Sequence, residues 1–179
     1  MSTINVPERE QVAPANQAIF DSLQKALGFV PNLYATFAHS DTALATYLAL
    51  QNAKSSLSGR EREVINLVVS QVNHCRYCLA AHTALGKMHG FTDEQIIQIR
   101  RANIDFDPKL AALAAFVKQV AVARGHDSEA ARTAFFAAGY SKANLIDTLM
   151  VVGDKIISNY LHSVTDIPVD FPAAIDIDD

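Results

Sequence analysis

The chain has 179 residues, of which 50% are apolar and 19% are charged, and its formal net charge is −4. This acidic balance, without a cluster of Lys and Arg, argues against a nucleic-acid-binding protein and against attachment to an anionic membrane surface. No apolar run reaches the roughly 18 residues that a membrane-spanning helix requires. The length suits a single domain over residues 1–179, and the high apolar content suggests burial between subunits.

The first segment, residues 1–13, is expected to be extended and loosely held. It lacks the cationic and apolar regions of a secretory signal, and the whole chain has only two cysteines. In a reducing compartment, a Cys-x-x-Cys pair more often serves catalysis or metal binding than structure. We therefore expect a cytoplasmic protein without a disulfide framework.

Apolar residues recur at helical spacing through most of the chain, without a strand-like alternation, and this predicts an all-α fold. The first helix is predicted over residues 14–28, ending at Gly28 ahead of Pro31. Asp41 is the candidate cap of a second helix that continues to about Lys54.

Six further helices are predicted after residue 57, and Ser58 with Glu61 and Thr92 with Gln95 have the spacing of capping boxes. The predicted bounds are Ser58 to about Asn73, the cysteine-containing stretch to Gly90, a helix from Thr92, Asp107 to about Arg124, Asp127 or Ser128 to Gly139, and Ser141 to about His162. Residues 163–179 are expected to form an extended, acidic tail on the surface.

An internal similarity relates GFTDEQII (90–97) to GYSKANLI (139–146), 49 residues later. It predicts two copies of a three-helix unit preceded by N-terminal helices. At this offset the residues Cys75, Cys78, His82 and Glu63 correspond to Arg124, Asp127, Ala131 and Ala112. Because the second copy lacks reactive side chains, the unit can be built without them. The cysteines of the first copy are therefore expected to serve chemistry rather than core packing.

Both cysteines lie in NHCRYCLAAH (73–82). In a helix Cys75, Cys78 and His82 occupy positions i, i+3 and i+7 and share one face. Cβ atoms at i and i+3 lie about 5–6 Å apart and a disulfide needs roughly 3.5–4.5 Å, so a small adjustment closes the bond. A helix N-terminus also favours a thiolate. This pattern predicts a redox-active dithiol.

His82 follows Cys78 by one turn, within reach to accept its proton or to pair with its thiolate. The preceding helix carries a polar stripe of Glu63, Asn66, Ser70 and Asn73. If this stripe faces the cysteines, Glu63 can orient His82 or receive a relayed proton; the alternative is a solvated helix face. The residues alone leave open which cysteine is the nucleophile, since Cys75 is nearer the helix start.

Zinc is the rival chemistry, because the two cysteines, His82 and Glu63 offer four ligands. The chain has no second cysteine pair, however, and His74 and His89 complete no known zinc pattern. We therefore predict neither a metal nor a cofactor. Three aromatic residues, Tyr34, Phe37 and Tyr47, are interpreted as core rather than substrate pocket, and His162 is left open between a pocket and an interface.

The stretch EREVINLVVSQVNHCRYCLAAHTALGKMHGFT has an acidic residue 12 positions before the first cysteine, the Cys-x-x-Cys pair, a histidine four positions later and a Gly-Phe-Thr junction. This combination resembles the carboxymuconolactone decarboxylase/AhpD superfamily, and within it the alkylhydroperoxidase-like, peroxidase-related branch. GFVPNLYATFAHS (28–40) is similar to the N-terminal part of this branch. The resemblance implies an AhpD-like helical fold that assembles as a homotrimer or hexamer.

The resemblance also implies cofactor-independent hydroperoxide reduction. By position, Cys78 would attack the peroxide, Cys75 would resolve the intermediate, and His82 with Glu63 would relay protons. The implied partners are a hydroperoxide and an external dithiol, lipoyl-bearing or thioredoxin-like. The alternatives are a carboxymuconolactone decarboxylase-type enzyme, a thiol redox sensor or oligomeric scaffold, and a zinc site. One position departs from AhpD, which has a histidine where this chain has Tyr77, a residue that is no base at neutral pH.

Overall fold

A computed structural model describes residues 4–126 and 128–177 of the chain. Within these ranges the structure is entirely helical, as predicted, and none of its helices is both long and apolar enough to cross a membrane. A 3₁₀ turn at Arg9–Gln11 precedes the α-helices, which are α1 Pro14–Leu27, α2 Asn32–Phe37, α3 Ala43–Gln51, α4 Gly59–Val72, α5 Arg76–Met88, α6 Asp93–Arg101, α7 Pro108–Ala123, α8 Glu129–Ala137 and α9 Lys142–Thr165.

Side-chain caps begin the longer helices where the sequence predicts them. Ser58, Thr92 and Ser141 each accept a hydrogen bond from the backbone N–H three residues on, and each forms a capping box. Asp107 accepts from the N–H groups of the two residues after Pro108. Each such cap contributes about 1 kcal/mol and satisfies N–H groups that have no partner within the helix.

Helices α2 and α3 differ from the prediction. Helix α2 was not predicted, and α3 ends at Gln51 rather than near Lys54. Asp41 does not cap α3. The Ser40 hydroxyl accepts from the N–H groups of Thr42 and Ala43 instead, so the capping group precedes the expected one.

Residues 4–13 are held more firmly than expected. Val12 is only 7% exposed and packs in a cluster with Phe20. Arg9 forms an ion pair with Asp21 at 2.7 Å. Only residues 1–3 of the expected loose segment lie outside the described structure.

The predicted three-helix repeat is matched by the helix boundaries. Helices α4 and α7 begin at Gly59 and Pro108, and α6 and α9 begin at Asp93 and Lys142, both 49 residues apart. Helices α5 and α8 end 49 residues apart but differ at their starts, since α5 has 13 residues and α8 has nine. Ser128 is the N-cap of α8, and Asp127 lies outside the described residues.

Helix α4 is the centre of the fold and packs against α5, α6, α7 and α9. Five of its apolar side chains are fully buried, namely Val64, Ile65, Leu67, Val68 and Val69. A helix covered on several sides holds its side chains in single positions. Residues on the α5 and α9 sides of α4 are therefore rigidly placed.

The C-terminal tail is extended as predicted, but it begins after Thr165 rather than at residue 163. It is bound along its length to the helices. The Asp170 carboxylate accepts from the N–H of Asn32 at 2.7 Å, at the start of α2. The carbonyl of Ile175 accepts from Arg100 at 2.6 Å. The tail thereby links α2 to α6.

Helix α9 is polar on its buried face and apolar on much of its exposed face. The buried polar residues are Thr148, Asp154, Lys155, Ser158, Asn159, His162 and Thr165. The exposed residues include five large apolar side chains that recur at intervals of three, four or seven, here called the α9 apolar stripe: Ile146, Met150, Ile157, Tyr160 and Val164. Helix α9 therefore brings charge and hydrogen-bonding groups into the interior, next to α4 and α5.

Candidate active site

The turn between α4 and α5 positions both cysteines. His74 takes a left-handed conformation at φ 50°, and Cys75 becomes the N-cap of α5. The Cys75 N–H donates to the carbonyl of Ser70 at 3.0 Å, and its sulfur accepts from the N–H of Cys78 at 3.4 Å. Both thiols are free and buried. The sulfur atoms therefore share the first turn of α5, as predicted.

The surroundings of the two thiols shift their pKa values in opposite directions. A side-chain hydrogen bond from the Cys75 thiol is the largest influence on the pKa of Cys78 and lowers it to about 6. The charges of Lys155 and His82 also lower this pKa, whereas burial raises it. The same hydrogen bond, together with burial and the charge of Cys78, raises the pKa of Cys75. These opposite shifts favour Cys78 rather than Cys75 as the thiolate of the pair.

The polar stripe of α4 faces inward, so the alternative of a solvated face is wrong. Glu63 and Asn66 are each 6% exposed and Ser70 is fully buried. Glu63 Oε2 lies 2.8 Å from Nδ1 of His82. Ser70 and Asn73 reach Asn159 of α9 at 3.3 and 2.9 Å. The stripe thus connects α4 to the residues around the cysteines.

Burial alone raises the pKa of Glu63. The charge of His82 and hydrogen bonds from His82 and Asn66 outweigh burial, and the net effect lowers the pKa. Asn66 donates to Glu63 Oε1 at 2.9 Å. With one oxygen toward Asn66 and the other toward His82, Glu63 is a fixed carboxylate that orients the imidazole.

Lys155 of α9 was missed by the sequence reasoning. Its side chain is 2% exposed, and Nζ lies 3.0 Å from Nε2 of His82. Asp154 provides the nearest carboxylate, with Oδ2 at 3.8 Å from Nζ. The signal that might have found Lys155 is the helical recurrence of polar residues at 154, 155, 158, 159 and 162 of α9. That recurrence marks a polar face within an otherwise apolar helix.

Two further groups of α9 approach Cys78. Ser158 Oγ lies 4.0 Å from its sulfur. The side chain of Asn159 donates toward the same sulfur and helps to lower its pKa. Asn73 donates to the carbonyl oxygen of the Asn159 side chain, which leaves its NH₂ group for Ser70 and the thiolate. Helix α9 therefore supplies much of the polar environment of Cys78.

A cavity of about 460 Å³ leads to Cys78. Its base contains Cys78, His82 and Lys155, of which none is more than 6% exposed. Its mouth contains Leu27 and Met88, which are 52% and 81% exposed. Its wall is mainly aromatic and aliphatic, with Phe29, Leu33, Tyr34, Tyr47, Tyr77, Leu85 and Phe171 among the lining residues. A cavity of this kind admits an apolar molecule to a buried sulfur.

Tyr34 and Tyr47, predicted as core residues, do pack in or against the core, where Tyr47 is 4% exposed, but both also line this cavity. Tyr47 stacks on Phe37 with ring centroids 4.3 Å apart, and Phe37 packs in the core as predicted. Spacing within α2 and α3 cannot separate the two roles, because a cavity wall and a core have the same apolar pattern.

Tyr77 is a structural residue. Its hydroxyl accepts from the N–H of Leu33 at 3.2 Å, and its ring packs edge-on against Phe171 of the tail. Burial and the nearby Asp170 raise its pKa. His162, left open by the sequence, lies 5.5 Å from the Tyr77 ring and is buried. Tyr77 therefore joins α5 to α2 and the tail and stays protonated at neutral pH.

In residues 4–126 and 128–177, no group of three or more His, Cys, Asp or Glu side chains is placed to hold a metal ion. The four residues considered for zinc are arranged as two hydrogen-bonded pairs, Cys75 with Cys78 and Glu63 with His82. The second ring nitrogen of His82 faces Lys155.

Comparison with known proteins gives one family match. The model of the carboxymuconolactone decarboxylase family matches residues 35–119, which include Glu63, both cysteines and His82. No curated protein matches the chain.

Three solved structures have similar folds over nearly their whole length. An uncharacterized peroxidase-related protein from Silicibacter sp. TM1040 is 25% identical, with a TM-score of 0.80 over 96% of this chain and 91% of its own. The AhpD core of a peroxidase-related protein from Ralstonia eutropha JMP134 is 23% identical, with a TM-score of 0.85 over 94% and 92%. The debrominase Bmp8 is 15% identical, with a TM-score of 0.78 over 95% and 93%.

Proposed function

Because the chain belongs to the carboxymuconolactone decarboxylase/AhpD superfamily, we propose that it is a cofactor-independent hydroperoxide reductase that uses Cys75 and Cys78 as a dithiol. One observation carries the proposal. Cys78 is the more acidic thiol of the pair and lies at the base of an apolar cavity. Cys75 lies one turn away, close enough to form a disulfide with oxidised Cys78.

The catalytic cycle uses sulfur chemistry alone. The Cys78 thiolate attacks the terminal oxygen of the hydroperoxide, so that an S–O bond forms while the O–O bond breaks and an alkoxide leaves. The alkoxide takes up a proton to become an alcohol, and Cys78 becomes a sulfenic acid. The Cys75 sulfur then displaces hydroxide as water and forms the disulfide. Two electrons and two protons from an external dithiol restore the reduced pair.

The surroundings of the two sulfurs support these roles. The cavity reaches Cys78, whereas Cys75 is fully buried and does not line it among the described residues. The pKa of Cys78 is lowered and that of Cys75 is raised. A nucleophile needs both access to substrate and thiolate character. These features favour Cys78 as the attacking and Cys75 as the resolving residue.

The depth of the dithiol also favours one kind of reductant. The two cysteines are at most 2% exposed, and Cys78 is reached through the cavity. A dithiol on a flexible apolar arm, such as a dihydrolipoyl group, can enter this cavity. The rigid active-site surface of a thioredoxin-like protein cannot. We therefore propose a lipoyl-type dithiol as the electron donor.

A reductant-coupled assay tests the function. Purified wild-type protein, Cys78→Ser and Cys75→Ser are given tert-butyl hydroperoxide with dihydrolipoamide or a reduced thioredoxin. We expect repeated turnover by the wild type with dihydrolipoamide, none by Cys78→Ser, and a sulfenic acid trapped by dimedone at Cys78 of Cys75→Ser. Full activity in Cys78→Ser would refute the assignment.

The same samples separate the alternatives. A thiol sensor would be oxidised once and reduced slowly, so it would show a single turnover. A decarboxylase would release CO₂ from a carboxymuconolactone independently of Cys78. A dehalogenase would consume 2,3,4-tribromopyrrole, the molecule bound to Bmp8 in one of its structures, in preference to hydroperoxide. Metal analysis of protein purified without chelator tests the zinc alternative.

A further inference from the structure

The two ring nitrogens of His82 are both engaged. Nδ1 lies 2.8 Å from Glu63 Oε2, and Nε2 lies 3.0 Å from Lys155 Nζ. Among the described residues, no hydrogen bond joins His82 to Cys78, although both line the cavity. In this arrangement His82 has no ring nitrogen available for the thiol or for a molecule in the cavity. A proton that passes between His82 and the cavity must therefore pass through Lys155.

The hydrogen bonds fix where the protons lie. An ammonium group has three donors and no acceptor, so a charged Lys155 donates to Nε2 and the His82 proton resides on Nδ1, directed at Glu63. If Lys155 gives up a proton into the cavity, its neutral amine still donates an N–H to Nε2, and the His82 proton stays on Nδ1. The transfer therefore needs no movement of heavy atoms at His82.

The charges around Lys155 suit a group that both holds and passes on a proton. Lys155 Nζ is the positively charged group of a buried cluster of titratable residues, which come from α2, α3, α4, α5 and α9. The titratable groups are Asp154 on α9, His82 and the two cysteines on α5, Glu63 on α4, Tyr34 on α2 and Tyr47 on α3. The carboxylates of Asp154 and Glu63 balance the positive charge of Lys155, because burying an unpaired charge would cost free energy.

We propose that Lys155 is the proton donor to the alkoxide that leaves when Cys78 attacks a hydroperoxide, and that His82 and Glu63 hold its ammonium group in place for this transfer. The inference rests on the hydroperoxide reductase function proposed above. It places Lys155 against the reacting oxygen and makes His82 and Glu63 positioning residues that act through it. The three side chains then form a line from α4 through α5 to α9.

The step balances in atoms and charge. The thiolate electron pair forms the S–O bond and the O–O electron pair leaves with the alkoxide, which takes a proton from the Lys155 ammonium. The resulting neutral amine stays against Nε2 of His82, whose Nδ1 proton remains directed at Glu63 Oε2. Water or the entering dithiol later restores the missing proton. The alkoxide of an alkyl hydroperoxide is a poor leaving group without a proton, so the donor lowers the barrier of this step.

Two reactions of the same thiolate test the proposal. Iodoacetamide alkylates Cys78 with loss of iodide, which needs no proton, whereas tert-butyl hydroperoxide releases an alkoxide, which does. Both rates are proportional to the thiolate fraction. The ratio of the hydroperoxide rate to the alkylation rate therefore isolates the proton donor from any effect on thiol acidity. Both rates are measured in single-turnover reactions that are quenched at set times, with the mass of the intact protein determined by mass spectrometry.

The variants are Lys155→Met, which removes the charge and the proton, and Lys155→Arg, which keeps the charge but hardly releases a proton. Lys142→Met is the matched control, because Lys142 is an exposed lysine at the start of the same helix. General acid catalysis is typically worth 10²–10⁴-fold, so we expect the ratio to fall about 100-fold in both Lys155 variants and to stay at the wild-type value in Lys142→Met. Alkylation itself should slow in Lys155→Met alone. Circular dichroism checks that each variant is folded.

An unchanged ratio in a folded Lys155 variant overturns the inference, because a purely structural role would slow both reactions alike. This result would leave the reductase function intact. Wild-type protein that is alkylated readily but does not react with any hydroperoxide overturns the proposed function, and this inference with it. Should Lys155→Met fail to fold, Lys155→Arg alone decides the question.

Discussion

Glu63 Oε2 lies 2.8 Å from His82 Nδ1, and the two side chains are each 8% exposed. Nineteen residues and the α4–α5 turn separate them along the chain. The short buried contact holds the imidazole with its other nitrogen toward Lys155. The carboxylate also stabilises positive charge on the ring, because a low local dielectric strengthens the attraction.

Replacing Glu63 by Gln removes this charge and keeps the shape and a hydrogen-bond acceptor. We expect kcat/KM for tert-butyl hydroperoxide to fall by about 10- to 100-fold, since acid–base groups typically contribute 10²–10⁴-fold and the amide still orients His82. The measurement is steady-state turnover at saturating dithiol. Glu94→Gln, at an exposed position of α6, should be as active as wild type. Wild-type kinetics in Glu63→Gln would remove Glu63 from the relay.

The hydrogen bond from Cys75 is the largest influence lowering the pKa of Cys78. Alkylation of Cys78 by iodoacetamide should therefore rise with pH around a midpoint of about 6 in the wild type. In Cys75→Ala, we expect the midpoint to move upward toward about 8.5, the value of a free cysteine, because the donor is lost. The direction follows because a lowered pKa keeps the thiolate present at lower pH. Alkylation rates between about pH 5 and 9.5 give both midpoints, and coincident profiles would show that Cys75 does not stabilise the thiolate.

A larger side chain in the cavity wall is expected to restrict the size of the substrate that reaches Cys78. Ala84 lines the cavity on α5, near Leu85 and Met88. Ala84→Trp should reduce the rate with cumene hydroperoxide about tenfold or more and leave hydrogen peroxide within about threefold of the wild type, since a filled cavity excludes bulky molecules first. Val122→Trp places the same ring at an exposed position of α7, away from the cavity lining, and should affect neither rate. Equal losses for both peroxides would place the route to Cys78 elsewhere.

The α9 apolar stripe predicts self-association, in agreement with the homo-oligomer that the family resemblance implies. Its five side chains are 45–77% exposed, and their steps of three, four and seven residues are those of a helix that packs along a second helix. We expect Ile157→Lys to lower the sedimentation mass toward the 19.4 kDa of a single chain. Val122→Lys puts the same charge on an exposed valine of α7 and should preserve the wild-type mass. A wild-type protein that sediments as a monomer at micromolar concentration would contradict this prediction.

Much of the fold could be predicted because its signals are local. Ser58, Thr92 and Ser141 begin helices in the structure as their capping spacing indicates. Helix α2 was missed because no side-chain cap marks its start. The capping carboxylate comes instead from Asp170, 138 residues away, which no local pattern reveals.

The candidate site also has residues that local sequence patterns predict and residues that they do not. Cys75, Cys78 and His82 lie on one short helix, so their spacing alone places them together. Tyr47 is a core residue as predicted, but its second place in the cavity wall was not predicted, because the wall of an apolar cavity and a packed core have the same composition. Lys155 lies 73 residues from His82, and nothing near it in the chain indicates the imidazole that it contacts.

By itself, the sequence determined that the chain is helical, where most of its helices begin, and that two thiols and a histidine share a helix face. Those properties depend on hydrogen bonds within a few residues and on the fixed 100° turn of the helix. Only the tertiary structure decided which face of α9 is buried. Helical periodicity defines which residues share a face but not what the face packs against, and here the polar face of α9 is the one that packs against α4 and α5. That choice brings Lys155 to His82.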